Sequence, residues 1–170
     1  MTQPQNFNRV CFLQEYCNKY GDFKVATHFE KGDWSKHVSV MHAWHNFPEE
    51  RWRLESANNR QILSCETVLD FDPEEGESQF DLYNEVAGII LELKSRGLEL
   101  AAYKTGSRGV HVHIFSPELA LMSQQQRQDY RKKIIQHYKA DIMKASDNCL
   151  IALENVPHWK TGQLKQRWEI

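Results

Sequence analysis

The sequence predicts an α+β fold built around an antiparallel sheet. Three observations carry this reading. Stretches with strand character recur at ILSCETVLDFD, LELAAY, VHVHIF and NCLIALEN, long helical patterns separate them, and glycine- or proline-bearing turns fall between. From residue 61 onward the order is β-α-β-β-α-β.

Taken in order, NFNRVCFLQEYCNKYG has apolar residues at helical spacing and a closing Gly21, which predicts a first helix. FKVATHFE and HVSVMHAW alternate like strands, with KGDWSK as a turn between them, and PEERWRLESANN predicts a short helix opened by Pro48. ILSCETVLDFD is rich in β-branched and apolar residues and reads as one strand. FDLYNEVAGIILELKSRG is the clearest helix, with Lys94 and Arg96 in its last turn and Gly97 as its stop. LELAAY and VHVHIF are strands joined by the tight loop TGSRG. Ser116-Pro117-Glu118 opens a helical region to about Lys144, and NCLIALEN is a last strand. The second part of this order is the ferredoxin-like, or RNA-recognition-motif-like, arrangement of a sheet backed by two helices. The 170-residue chain is read as a single domain, with residues 1–60 a small α/β module and 61–170 the sheet module.

Composition narrows the function. Apolar residues make up 41% and charged residues 26%, as expected of a globular protein. No apolar run approaches the ~20 residues of a membrane span, and MTQPQNFNR is not a signal peptide, so a cytoplasmic location and no membrane partner are expected. Cys11, Cys17, Cys65 and Cys149 form no C-x-x-C pair, which argues for reduced thiols and against a zinc module. Residues 1–103 carry 10 Lys+Arg against 17 Asp+Glu, and residues 104–170 carry 11 against 6. A basic second part lets a polyanion meet one side of the molecule.

Three segments could carry chemistry. Asp70 and Asp72, two apart at a strand end, point to the same face. They suit a hard cation such as Mg²⁺ or Mn²⁺, which brings phosphate oxygens with it; the plainer reading is a solvated acidic turn. In VHVHIF, His111, His113 and Phe115 share a face opposite the apolar one, which leaves the histidine face open. Lys104, Ser107 and Arg108 sit in or beside the preceding glycine loop, where amides and a guanidinium cradle phosphate. His158, Lys160 and Thr161 in ENVPHWKTGQLKQRW offer a second phosphate grip, or a plain C-terminal tail.

Together, Asp70-Phe71-Asp72, the run Thr105-Gly106-Ser107-Arg108-Gly109-Val110-His111-Val112-His113, and His158-Trp159-Lys160-Thr161-Gly162 stand in the motif order of the archaeo-eukaryotic primases. The chain resembles the small-subunit primases and primase-polymerases of that superfamily over residues 60–164. The resemblance implies a DNA-directed nucleotidyltransferase that adds nucleotides from NTP or dNTP by two-metal-ion phosphoryl transfer. It implies two Mg²⁺ or Mn²⁺ ions on Asp70, Asp72 and a third carboxylate. It further implies a nucleotide pocket lined by Arg108, His111, His158 and Lys160. The family's third aspartate follows a hydrophobic residue shortly before the last strand. Asp147, preceded here by Ser146, is the candidate, and Glu154 the alternative. Implied partners are a single-stranded DNA template or primer-template, together with a helicase, a regulatory subunit or further domains. The family's zinc module is absent, and the chain stops eight residues after Gly162, which implies a minimal catalytic core.

Two other readings stay open. His111-Val112-His113 is also the pattern of HUH single-strand endonucleases, with Tyr130 as nucleophile and the histidine pair on one metal. A non-catalytic RNA-recognition-motif-like module would instead stack bases on Phe115 and Phe71 of an open sheet face.

Overall fold

The computed structural model describes residues 7–30 and 33–170. Helix α1 (Arg9–Tyr20) begins where Asn8 accepts a hydrogen bond from the Cys11 amide, and it ends at Gly21, whose φ of 90° suits glycine. Strands β1 (Lys24–Ala26), β2 (His28–Glu30), β3 (Asp33–Trp34) and β4 (Val38–Ser39) follow, then helices α2 (Val40–His45) and α3 (Arg51–Glu55). Next come β5 (Asn59–Gln61), β6 (Glu66–Phe71), α4 (Gln79–Ser95), β7 (Glu99–Lys104) and β8 (Val110–Phe115). The chain closes with a 3₁₀ turn (Pro117–Leu121), α5 (Gln124–His137), a second 3₁₀ turn (Ile142–Ala145), β9 (Leu150–Ala152) and β10 (Gln166–Arg167).

Among the described residues there are two antiparallel four-stranded sheets, β4-β1-β5-β9 and β10-β7-β8-β6, and a small β2-β3 ladder. In the second sheet β8 lies between β6 and β7, as expected for a split β-α-β unit. The expected fourth strand departs from that plan. NCLIALEN supplies β9, which pairs with β5 in the first sheet rather than with β6. The first sheet therefore takes strands from both sides of residue 60.

Three local expectations change for physical reasons. HVSVMHAW is mostly the helix α2, because Ser39 caps it through the His42 amide and Val40 and Ala43, three apart, are the buried pair. ILSCETVLDFD holds one strand, β6, which begins only at Glu66: Leu63–Cys65 turns the chain, and β5, just before this stretch, belongs to the other sheet. The helical region from Ser116 to Lys144 is broken into three pieces, the middle one opened by a Ser123–Gln126 capping box. Lys31 and Gly32 of the expected KGDWSK turn lie outside the described residues.

One face of the second sheet packs Leu69, Phe71, Val110, Val112 and Ile114 against Leu82, Val86, Ile90 and Leu93 of α4 and Ile135 of α5. Its other face carries Glu66, Val68, Asp70, His111 and His113, and it is covered. Arg60 from β5 and Lys165 reach across it, and Val68 packs with Ile62 and Ile151. The expectation of an open histidine face is thus corrected. Polar residues can be interior when their charges are matched. No helix among the described residues is long and apolar enough to cross a membrane.

Candidate active site

The strand register builds the centre of the site. Asp70 on β6 stands directly opposite His111 on β8, and Tyr103 on β7 flanks His111 on its other side. His111 Nε2 lies 3.2 Å from Asp70 Oδ1, and Lys144 Nζ lies 3.4 Å from Asp70 Oδ2. Burial by itself would raise the Asp70 carboxyl; His111 and Lys144 outweigh it and hold the group at about 2. Asp72 is exposed, and its carboxyl is raised, first by desolvation and then by the charge of Asp70. Burial lowers the His111 imidazole, so at neutral pH the ring is uncharged and its Nε2–H faces Asp70. Its Nδ1 is buried and has no partner.

Two loops close on this centre. Residues 105–109 form a tight turn in which Thr105 Oγ1 accepts from the Gly109 amide at 3.1 Å and the Ser107 amide at 3.3 Å. The segment 158–163 is a second turn: the Gly162 amide donates to His158 O and the His158 amide to Gln163 O, both at 2.8 Å. Gly162 has φ +70°, a left-handed conformation that favours glycine. His158 Nδ1 accepts from the Lys160 amide at 3.1 Å, so its Nε2 carries the proton. Thr161 Oγ1 donates to Gly106 O and ties the two turns together.

The glycines make this closure possible. A Cβ on Gly106 would stand 2.3 Å from Gln163 O and 2.5 Å from His158 Cβ, and one on Gly109 would stand 2.7 Å from both Asp72 Oδ1 and Phe71 O. Gly106→Ala is therefore expected to push the two turns apart. The loss should be about 1–3 kcal/mol in urea denaturation, as for other overpacked sites. An unchanged urea midpoint would mean that the turns do not touch.

Asp70, Asp72, Thr105, Ser107, His111 and His158 all line one open groove of about 370 Å³, together with Lys144, Trp34, Asn59 and Trp159. Parts of all three sequence segments thus meet. Arg108, Lys160 and Thr161 are exposed on the two turns beside it.

Other expected members stand elsewhere. Lys104 lies on the opposite face of β7, its ammonium 4.5 Å from the Tyr83 ring centre and 5.3 Å from that of Trp168. His113 is fully buried: its Nδ1 is 2.8 Å from Glu66 Oε2 and its Nε2 3.1 Å from Lys165 Nζ. Both are corrected as groove residues, because alternation turns Lys104 away and the first sheet covers His113. Asp147 is held by Arg127 and Arg131, and Glu154 by Arg60 and Lys165, so neither carboxylate is free. Asp141 was passed over. Its amide donates to Asp70 O at 3.0 Å, and its charge adds to the raising of Asp72. It follows Ala140, and an apolar residue before an aspartate was the signal that could have found it.

The rival arrangements are not assembled. Tyr130 lines a separate groove with Leu93, Ile114 and Ile134, on the face of β8 opposite His111 and His113. Phe71 is buried, and Phe115 stacks on Tyr20 at 5.4 Å, so the sheet offers no open aromatic platform there.

A hard cation fits this site in donor type. Asp70 and Asp72 supply carboxylate oxygens, and the raised Asp72 marks negative charge that is not fully compensated. No group of three His, Cys, Asp or Glu converges on one point among the described residues, and Lys144 already faces one oxygen of Asp70.

No profile of a known protein family matches the sequence, and no curated protein matches it. Among solved structures, the fold is similar to that of the polymerase domain of Mycobacterium tuberculosis ligase D in complex with DNA, with a TM-score of 0.58 and 14% sequence identity. The match covers 86% of this chain and 62% of that one. The likeness is one of fold, and a distant one.

Proposed function

We propose that this chain is a template-dependent nucleotidyltransferase core of the primase-polymerase type. One observation carries the reading: residues of three segments far apart in sequence, Asp70 and Asp72, then Thr105, Ser107 and His111, and finally His158, line a single groove. The likeness in fold to a polymerase domain supports it.

In this reading Asp70 and Asp72 hold a divalent cation, Mg²⁺ or Mn²⁺, which when bound lowers the barrier to attack by a primer 3′-hydroxyl and neutralises phosphate charge. The amides and hydroxyls of the 105–109 turn, the Arg108 guanidinium and His158 Nε2–H hold the triphosphate of an NTP or dNTP. His111 orients Asp70 through its Nε2. Lys160 adds positive charge at the rim, and Thr161 keeps the two turns in register. Asp141, whose amide bonds the Asp70 carbonyl and whose charge reaches Asp72, replaces Asp147 as the candidate further carboxylate. Partners are a single-stranded template or primer-template and, for full activity, other domains or subunits.

Lys144 favours a second reading. An ammonium already facing Asp70 suits a groove that binds nucleotide without transferring it. A 5′-labelled primer on a single-stranded template, incubated with Mn²⁺ and mixed nucleotides, separates the two. Products longer than the primer are expected. An unchanged primer despite measurable nucleotide binding would favour the second reading, and a shortened one would restore the endonuclease reading.

A further inference from the structure

Four aromatic rings pack in a row, three of them, Trp34, His158 and Trp159, along one wall of the groove and His28 buried behind it. Trp34 packs edge-on to His28 at 4.3 Å and 90°, and His28 stacks on Trp159 at 3.8 Å and 25°. Trp159 in turn lies near-parallel to His158 at 5.8 Å and 23°. His28 is buried at 6%, whereas Trp34 and Trp159 remain 40% and 38% exposed. Neither tryptophan belongs to any of the core clusters among the described residues, and both line the groove with Asp70, Ser107 and His111.

Core packing does not account for this wall. Two indoles half-open to water beside carboxylates and imidazoles leave apolar surface unsatisfied unless a flat partner covers it. The wall is also well held. The 158–163 turn fixes Trp159 from its own backbone bonds, and His28 supports the indole through ring contact. The Nδ1 of His28 is buried without a partner, so no side-chain hydrogen bond at that nitrogen explains its place.

We infer that Trp159 and Trp34 form a stacking shelf for a nucleobase, so that the groove takes a nucleotide rather than a bare polyphosphate. The inference rests on the nucleotide reading given above and deepens it by assigning the base end of the ligand. Stacking on an indole is tolerant of base identity, because every base presents a π-face. Asn59, the one amide side chain lining the groove among the described residues, has its Nδ2 committed to Asn58 Oδ1 at 2.7 Å, which leaves little to read a base edge. Purines, with the larger face, should bind a few-fold better than pyrimidines.

The test is a titration of the full chain, with Mn²⁺ present, by ATP and separately by tripolyphosphate, read by calorimetry and by quenching of tryptophan emission. ATP should bind at least about 10-fold more tightly than tripolyphosphate and quench emission. Trp159→Ala should weaken ATP by about 10- to 100-fold, with Trp34→Ala doing the same to a smaller degree, while tripolyphosphate changes by less than about 2-fold. Trp159→Phe should restore most of the affinity, and Trp44→Ala, an exposed tryptophan of α2 outside the groove, should change nothing. Neither indole belongs to a core cluster, so the variants should stay folded, and Trp159→Phe, which keeps a ring on His28, should melt as wild type does. Equal affinity for both ligands, unmoved by Trp159→Ala, would overturn the shelf and leave the phosphate-binding turns standing. Failure of either ligand to bind the wild-type chain would overturn the shelf together with the reading beneath it.

Discussion

Asp72→Asn should abolish nucleotide addition, by about 10³-fold or more, and leave the protein at least as stable as wild type. The two halves of that expectation have one origin. Asp72 is exposed at the end of β6, and burial of its neighbourhood and the charge of Asp70 raise its carboxyl. Removing a charge that is disfavoured in the folded state relieves repulsion, so the urea midpoint should stay or rise slightly. The same charge is what a divalent cation needs, and a loss of about 10³-fold corresponds to ~4 kcal/mol of transition-state stabilisation. Asp70→Asn is a less clean test. It also breaks the contacts to His111 and Lys144, so lost activity would come with lost order. Primer extension and urea denaturation on the same Asp72→Asn preparation check both halves. Retained extension would remove Asp72 from the site.

Much of this centre was legible because it depends on local patterns. Helical periodicity and the stop at Gly97 mark α4 in the sequence, whereas the Ser123 cap that opens α5 as a separate helix lies inside the helical region expected from Ser116 to Lys144. The two-residue spacing of Asp70 and Asp72, and of His111 and His113, fixes which side chains share a face of a strand. What spacing does not carry is which face another part of the chain will cover. His113 reads as a surface residue until Arg60, Glu66, Glu154 and Lys165 are brought around it, and Arg60 and Glu154 are separated by 94 residues. The path of β9 was hidden for the same reason. NCLIALEN fits either sheet, and the short Leu63–Cys65 turn decides that its partner β5 lies in the first. Lys104 and Asp141 differ from the expectation on smaller grounds. One lies a single residue out of phase with Tyr103, which pairs with His111, and the other caps a 3₁₀ turn at a place where the sequence predicts one continuous helix.

The largest effect on stability is expected at the ion cluster that joins the two sheets. Arg60 bonds Glu66 through both terminal nitrogens at 2.9 Å and Glu154 at 2.7 and 3.1 Å; all three are fully buried. Lys165 Nζ donates to Ala152 O at 2.8 Å and faces His113 Nε2 at 3.1 Å. His113 is therefore neutral, with Nδ1–H directed at Glu66, and burial holds its pKa near 4. Two cations thus balance two carboxylates. Arg60→Met leaves two buried carboxylates facing one ammonium, which should cost about 3–5 kcal/mol, more than loss of a surface pair by several-fold. The cluster also sets the acid response. Between pH 6.5 and 4 the unfolded chain protonates its histidine while the folded one resists, so stability falls as pH falls. Glu154, held at about 2 in the fold against burial by Arg60 and then Lys165, extends the loss below pH 4.5, because there too the unfolded chain binds the proton first. Urea midpoints at pH 7, 5.5 and 4.5 should therefore descend steadily for wild type. His113→Gln should make both intervals shallower and leave the further loss below pH 4.5 that Glu154 sets. A flat profile in wild type would mean that the cluster is open to water and that the two sheets are held by their apolar contacts alone.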